Sequence, residues 1–500
     1  MTISLRKSPE VTRRFANIVK DNLGIAVRPL KPKIEKDVIP AMNRIWNTTR
    51  LPTGLDQLEK EFRDKVFRPR SRYKYSVLRE GCLKYQYVPD IPYKAESSLD
   101  SIPYRHPFKS SLSHELDLTL DRNIRALKKG PGLPFRPPRG KKADAWRGAK
   151  QYNTFIVKPS RSTKWCYSIF PGHRTQQSPL DSPKVRLVWQ IPCHIWLMEC
   201  EAYDDGLSRT VSENKGNIQN EIKLFYDTPE GIHKWYTNKS TSVIDWLNAD
   251  ASSFDASVGR SELADIVRYL GGGYRYSDLL ADYTATAALV MPEGDIVRNG
   301  GMPSGSKLTN WGDSYANTRD GIEVINQLGL SKYLEVILCN GDDISLGFST
   351  KLRNEQLEKW DRYSRRNINA EKSQVGSYVW NSKWYIDNKI MTRPIFRVLN
   401  SLMFKEHQFN PITGSKQYVA VTVAQQLADV AEHPLADALY KEIGKIDKYP
   451  LSSFTDEELI PYVEVYLDDY SWAADWMGNP KNYIKKLRRT PYADLEAIGI

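Results

Sequence analysis

Three short stretches carry carboxylates and hydroxyls at spacings suited to chemistry at phosphorus. In LEVILCNGDDISLG, residues 334–347, an apolar run rich in β-formers meets Asn340-Gly341, a favoured two-residue hairpin turn. A second apolar run, Ile344 to Leu346, follows. Asp342 and Asp343 therefore belong at or beside a hairpin tip. Two adjacent carboxylates repel each other, and a bound cation relieves that repulsion. Taken alone, such a turn is more often only a turn. In VIDWLNADASSFDASV, residues 243–258, a buried strand ends at Asp250 and a helix starts near Asp255. A carboxylate at the end of a central strand suits Mg²⁺, which takes oxygen ligands and keeps waters and substrate phosphates in its shell. Two such ions can clamp an in-line displacement at phosphorus. Without partners, Asp250 would be a solvated acid and Asp255 a helix N-cap. The third stretch is GGMPSGSKLTNWGDSYAN, residues 300–317, a tight loop running straight into a long helix. Its amides, Ser304 and Ser306 can receive phosphate or ribose oxygens. In isolation it would be a plain glycine-rich helix start.

The elements that must position these groups follow from periodicity. Residues 184–198 begin as an alternating strand with Lys184 and Arg186 on one face, then turn helical after Pro192. A buried strand is expected over 242–249 and a helix over 259–270. A long amphipathic helix is expected over 306–328, with Leu308, Trp311, Tyr315, Ile322 and Ile325 near one face. A hairpin is expected over 333–347. Residues 116–127 read as a short helix. Residues 128–150, with eight basic residues and one acid, read as a loop able to grip a phosphate backbone. From about 405 the pattern is helical. Strands and helices followed by a helical tail imply an α+β core with a helical subdomain.

Composition bounds the rest. At 500 residues the chain exceeds one compact core, so two or three subdomains are expected. The formal charge of +12 attracts polyanions, nucleic acid foremost, although an anionic membrane surface or simple solubility would also use it. The five cysteines form no CxxC pair and the seven histidines show no metal-ligand spacing, which excludes a zinc ribbon and fits reduced thiols. No run of eighteen apolar residues suggests a membrane span. The start, MTISLRKSPEVTRRF, lacks the apolar core of a signal peptide, and Glu10 and Asp21 argue against a transit peptide.

In this order the three stretches resemble the palm motifs of viral RNA-directed RNA polymerases. Asp250 and Asp255 match the first motif, an Asp followed five residues later by an acid. Ser304, Gly305 and Thr309 match SGxxxT, and Gly341, Asp342 and Asp343 match GDD. Lys184 and Arg186 stand where the fingers motif covers the incoming triphosphate. Asn369-Ala370-Glu371-Lys372 resembles the motif carrying a lysine near the leaving pyrophosphate. Residues 393–406 resemble the strand pair gripping the product strand, and GPGLPF, residues 130–135, the loop guiding the template. The wording is most similar to the picobirnavirus and partitivirus type, from small segmented double-stranded RNA viruses. The resemblance covers about 130–406. One position departs: many positive-strand virus enzymes have Asn where this chain has Asp313, and related double-stranded RNA virus enzymes share an acid there.

The resemblance implies a closed right hand. Its palm is an antiparallel sheet with helices on one side. An N-terminal extension and fingers would occupy 1–241, palm 242–264, fingers again 265–305, palm 306–404, and a helical thumb 405–500. It implies two Mg²⁺ ions, replaceable by Mn²⁺, on Asp250, Asp342 and Asp343, and Lys372 as proton donor to the leaving group. Lys184, Arg186, Asp255, Ser304, Gly305 and Thr309 would bind the nucleoside triphosphate, with Asp313 or Asn317 sensing the ribose. Lys128, Lys129, Arg136, Arg139 and Arg397 would hold RNA. Implied partners are template, product duplex, ribonucleotides and a capsid protein, in the virion interior and host cytoplasm. A reverse transcriptase would instead show aromatic residues at the positions of Gly341 and Asp255. A basic RNA-packaging protein would not need the three aspartates together.

Overall fold

The protein is described by a computed structural model over residues 30–71, 74–91, 142–156, 168–214, 221–224, 242–271, 274–376, 379–380, 382–386, 390–404, 415–469, 480–490 and 492. The helix expected at 116–127, GPGLPF, Lys128, Lys129, Arg136 and Arg139 lie outside these residues. The chain forms two compact units, one holding Tyr73–Arg174 and Val185–Asn381, the other Ser4–Arg72, Thr175–Lys184 and Ser382–Ile500.

The first unit contains helices α1 (Tyr75–Leu83), α2 (Lys142–Ile156), α3 (Cys193–Asn214), α4 (Arg260–Leu270), α5 (Ser277–Thr286), α6 (Thr309–Gln327) and α7 (Asn354–Tyr363). Its strands are β1 (Ser168–Thr175), β2 (Val185–Gln190), β3 (Glu221–Leu224), β4 (Asp245–Asp250), β5 (Ala288–Leu289), β6 (Leu334–Asn340), β7 (Asp343–Phe348), β8 (Gln374–Gly376) and β9 (Val379–Trp380). A five-stranded sheet runs β3-β6-β7-β4-β8. It is not wholly antiparallel as expected. β3 pairs parallel with β6 while the other neighbours are antiparallel. The chain reaches β6 only after α4, α5 and α6, the long crossover that a parallel neighbour requires.

The strand, hairpin and α4 expectations hold to within a few residues. Two further readings in this unit need correction. The basic loop expected through 150 gives way to α2 at Lys142, because its prolines end at Pro138 and alanines and other good helix formers follow. The second concerns α6, which is not amphipathic but buried on nearly every side from Trp311 to Ile325. It packs on β6 and β7, and α4 and α7 close over it. Its apolar residues join Leu247, Leu346, Phe348 and Trp360 in the main core. Each such side chain contributes about 1.5–3 kcal/mol by leaving water.

Burial obliges the polar residues of α6 to find partners. Ser364 Oγ donates to Asp320 at 2.6 Å, Arg365 pairs with Glu323 at 2.6 Å, and Arg366 reaches Asp320 at 3.4 Å. Arg366 also pairs with Glu262 of α4 at 2.8 Å and lies over the Phe254 ring. This network fixes the segment that leads into residues 367–373.

The second unit is mainly helical, as expected after 405, with helices Lys416–Ala428, Ala436–Gly444, Asp456–Asp469 and Pro480–Arg488. Helices Ile39–Thr48 and Thr53–Arg63 join its core. Strands β10 (Lys383–Ile386) and β11 (Ile390–Thr392) form a hairpin. Residues 393–406 were expected as a strand pair, but Ile395–Met403 is a helix. Pro394 suits a helix start, and apolar residues at 395, 398, 399 and 402 follow helical spacing. Buried Glu59 accepts the Ile395 and Phe396 N–H groups at 2.6 and 3.3 Å, satisfying the first turn. Arg397 lies over the Phe62 and Trp384 rings and donates to Ser382 Oγ at 2.9 Å. Among the described residues no helix is long and apolar enough to cross a membrane.

Candidate active site

Strand register brings the first two carboxylates together. Asp250 ends β4 and Asp343 begins β7, and the two are direct cross-strand partners. Side chains on paired positions share a face of the sheet. Asp250, Asn248, Asp343 and Ser345 therefore lie on one face, and Ser345 Oγ donates to Asn248 Oδ1. Leu247, Ala249, Ile344 and Leu346 fall on the other face and enter the core. A one-residue slip would exchange the faces, so core burial enforces the placement of the acids.

The turn differs by one residue from the expected Asn340-Gly341. Asn340 pairs with Asp343, so the loop residues are Gly341 and Asp342. Gly341 has φ +64°, suiting the first central position of a type II′ turn. Three polar residues along α6 hold this turn. Asn310 Nδ2 donates to Asn340 Oδ1 at 3.2 Å, and the Gly341 N–H donates to Ser314 Oγ at 2.8 Å. Asn317 Nδ2 donates to the carbonyls of Gly341 and Asp342 at 3.1 and 2.9 Å. Asn310 and Ser314 were not singled out in the sequence, although polar residues at helical spacing facing a turn were a readable signal.

Lys372 reaches Asp250 through backbone ties. The Asn369 N–H donates to the Asp250 carbonyl at 2.7 Å, and the Asp250 N–H donates to Ser373 Oγ at 2.9 Å. Lys372 Nζ then sits 3.0 Å from both Asp250 carboxylate oxygens. Its side chain is 58% exposed, so this pair is a labile one.

Asp255 lies in a 3₁₀ turn, Phe254–Ser257, rather than at a helix N-cap. Ser304 Oγ donates to Asp255 Oδ2, and the Met302 N–H donates to the Asp255 carbonyl at 2.7 Å. The Ser304 carbonyl accepts from Trp189 of β2 at 2.6 Å, which ties the loop to the strand bearing Arg186. Asp313 is buried beside Asp255, and among the described residues its Oδ1 has no hydrogen-bond partner. Burial first, then the Asp255 charge and a hydrogen bond with it, push the Asp313 carboxyl well above the usual carboxylate range. Asp342 meets solvent at the rim of a recessed cluster. Enclosure and the charges of Asp255 and Asp250 push its carboxyl up, while Arg186 pulls it down.

Other expected residues are placed differently. The Thr309 hydroxyl is turned into its own loop, against the Pro303 and Ser306 carbonyls at 2.8 and 3.0 Å. Gly305 has φ +132° and lies so close to the Trp189 backbone that a Cβ would collide with it. Exposed Lys184 belongs to the second unit, where its N–H donates to Ser178 Oγ at 3.1 Å. Asn317 is engaged with the hairpin, which leaves Asp313 as the acid beside Asp255.

Among the described residues, no three His, Cys, Asp or Glu side chains close around a common point as a ready metal cage. Mg²⁺ seldom uses such a cage, taking one or two carboxylates together with waters and substrate phosphates. Mutual repulsion among these aspartates, and the lysine ammonium against Asp250, mark a place where a divalent cation would be welcome. The donor set is all oxygen, so the residues fit Mg²⁺.

Comparison with known proteins agrees with this arrangement at the level of fold. The chain has the fold of a viral RNA-dependent RNA polymerase. It is similar to the crystal structure of the RNA-dependent RNA polymerase of a human picobirnavirus, with a TM-score of 0.55 and 13% identity over 98% of this chain and 92% of that one. An insertion-loop deletion mutant of that polymerase gives a TM-score of 0.53 and 14% identity over 97% and 92%. No family model matches the sequence, and no curated protein matches it.

Proposed function

We propose that this protein is an RNA-directed RNA polymerase that replicates and transcribes a viral RNA genome. The observation that carries the proposal is the pairing of Asp250 with Asp343 across β4 and β7, with Asp342 in the adjoining turn and Lys372 on Asp250. In the fold of a viral polymerase, that placement supports nucleotidyl transfer. The reaction is attack of a primer 3′-hydroxyl on the α-phosphate of a ribonucleoside triphosphate.

Asp250, Asp342 and Asp343 would hold two Mg²⁺ ions, or Mn²⁺ in their place. When bound, the metals lower the pKa of the attacking hydroxyl and neutralise the triphosphate. Arg186, whose charge reaches Asp342, and Lys184 neutralise phosphate oxygens. Lys372, once parted from Asp250, would give a proton to departing pyrophosphate. Asp255 accepts a hydrogen bond from the ribose 2′-hydroxyl, the group that tells RNA from DNA. Asp313, whose carboxyl is held above the usual carboxylate range by burial and by Asp255, lies beside it on the buried side.

The first unit supports a reading as fingers and palm, and the helices after 405 as a thumb. Lys128, Lys129, Arg136, Arg139 and Arg397 are assigned to RNA, and a capsid protein is a proposed partner in the virion. Purified protein with Mg²⁺, template RNA and ribonucleotides is expected to make complementary RNA. Asp342→Asn should abolish synthesis yet leave RNA binding intact. Full synthesis by that variant would refute the metal assignment.

A further inference from the structure

Lys84 belongs to none of the motifs in the sequence, yet it reaches the turn between Asp250 and Asp255. It opens a 3₁₀ turn, Lys84–Gln86, directly after α1. Its Nζ donates to Ser253 Oγ at 3.2 Å. Ser253 stands three residues after Asp250 and two before Asp255. Chain geometry therefore keeps its Cα within about 11 Å of the first and about 7 Å of the second. Further contacts hold the Lys84 turn against the candidate site. The Asn299 N–H donates to the Tyr85 carbonyl at 3.0 Å. A Cβ on Gly301 would run into the Tyr85 ring, so the turn packs on the glycine loop that leads to Ser304. The same ring meets Trp189 of β2 edge-to-face at 4.9 Å. A Cβ on Gly81 of α1 would come 3.3 Å from Leu187 of β2. Lys84 thus follows a helix packed on the strand that carries Arg186.

Ser253 is held in an unusual conformation. Its φ of 55° and ψ of 48° are left-handed, which glycine adopts readily and serine does not. The Ser252 N–H donates to the Asn367 carbonyl at 2.8 Å, and the Ala256 N–H to the Ser253 carbonyl at 3.0 Å, so the bend is tied on both sides. Lys84 and Ser253 are both exposed, so burial does not explain their meeting. A strained, exposed side chain beside a reactive cluster points to function. Donor counting agrees. An ammonium has three N–H groups, and Ser253 takes one. Among the described residues Lys84 is paired with no carboxylate, so two donors remain for an anion. The Ser253 oxygen accepts from Lys84, which leaves its own proton to give.

We propose that Lys84 and Ser253 together bind the polyphosphate tail of the incoming ribonucleoside triphosphate, Lys84 through its charge and Ser253 through its hydroxyl proton. The inference rests on the polymerase reading above and adds a cation that none of its motifs supplies. The turn lies between the acids assigned to the metals and to the ribose, so the nucleotide, rather than the RNA backbone, is the anion that meets it.

The test is the dissociation constant for ATP, measured by calorimetry with Mg²⁺ on the full chain. Lys84→Met keeps the aliphatic stem and removes the charge. It should weaken ATP roughly three- to tenfold, the worth of one solvent-screened charged hydrogen bond. Lys84→Arg should recover most of that loss. Ser253→Gly removes the hydroxyl but suits the left-handed backbone. It should weaken ATP without lowering the unfolding temperature, so a folding defect would not account for the loss. Inorganic tripolyphosphate, which has neither sugar nor base, should weaken by the same factor as ATP in Lys84→Met. Affinity for single-stranded RNA, read by filter binding, should hold. Unchanged ATP affinity in Lys84→Met, or a loss confined to RNA, would overturn the inference. So would wild-type affinity for tripolyphosphate in that variant beside weakened ATP. Template-directed synthesis is assayed alongside. An ATP affinity that depends on Lys84 in a chain that makes no RNA would refute the polymerase reading alone. RNA synthesis with ATP affinity unchanged in Lys84→Met would refute the role of Lys84 alone.

Discussion

At the scale of single residues, the cluster is governed by uncompensated negative charge. Lys372 is the cation that stands against Asp250 in the absence of metal. Under the proposed function it would compete with Mg²⁺ for that carboxylate and then serve the leaving group. Lys372→Ala should therefore lower the half-saturating Mg²⁺ concentration severalfold while kcat falls by about 10²-fold, in line with loss of a general acid. Titrating activity against Mg²⁺ separates the two effects. An unchanged metal requirement would remove the competition from the account. Asp250, Asp255 and the Asp pair were legible in the sequence because strand ends and turns have local signatures. Lys372 was assigned by resemblance, and its contact with Asp250 depends on the fold.

At the scale of elements, two glycine turns and one buried acid set the loops. Gly305 and Gly341 both adopt positive φ, but their surroundings differ. A Cβ on Gly341 would come 2.7 Å from Asn310 Oδ1, the end of a side chain that can move. On Gly305 it would strike the Trp189 backbone. Gly341→Ala should cost about 1–2 kcal/mol, the left-handed penalty alone. Gly305→Ala should cost more, and thermal unfolding would rank them. Equal losses would contradict the collision. Glu199 of α3 accepts Ser306 Oγ at 2.6 Å and the Lys307 N–H at 3.0 Å, tying down the entry to α6. Burial, opposed by those hydrogen bonds and by Lys142 and Lys307, holds its carboxyl above the usual range. A raised folded pKa means its stabilising contribution is full below the unfolded value, about 4.3, and is lost as pH rises through the folded value. Glu199→Gln keeps an acceptor without the charge. Its unfolding midpoint should gain on the wild type as pH rises above about 4.3. A pH-independent difference would count against this.

At the scale of the whole molecule, the excess of basic residues suits the RNA partner proposed for this protein. The net charge of +12 predicts backbone contacts that release counterions. Affinity for single-stranded RNA should fall steeply from low to physiological salt, with a log–log slope of about −0.7 per phosphate neutralised. Asp342→Asn should keep that slope, since it leaves the basic surface untouched. Filter binding across a salt series measures it. A flat dependence would argue against phosphate contacts.

What the sequence by itself determined was local. It settled the hairpin, the strand ending at Asp250, the glycine loop running into α6, and the helical run after 405, because turn residues and periodicity act over a few positions. It placed the hairpin turn one residue early, since Asn340-Gly341 and Gly341-Asp342 are both acceptable turns and only pairing with β4 and α6 selects between them. It read 393–406 as strands where apolar spacing and Glu59 make a helix. Tertiary structure alone decided that Asp250 stands beside Asp343, that Lys372 rests on Asp250, and that Asn317 holds the turn while Asp313 lies against Asp255. Each of these outcomes comes from burying an apolar face while pairing the polar groups that burial traps. Neither demand can be evaluated until residues distant in the chain have met.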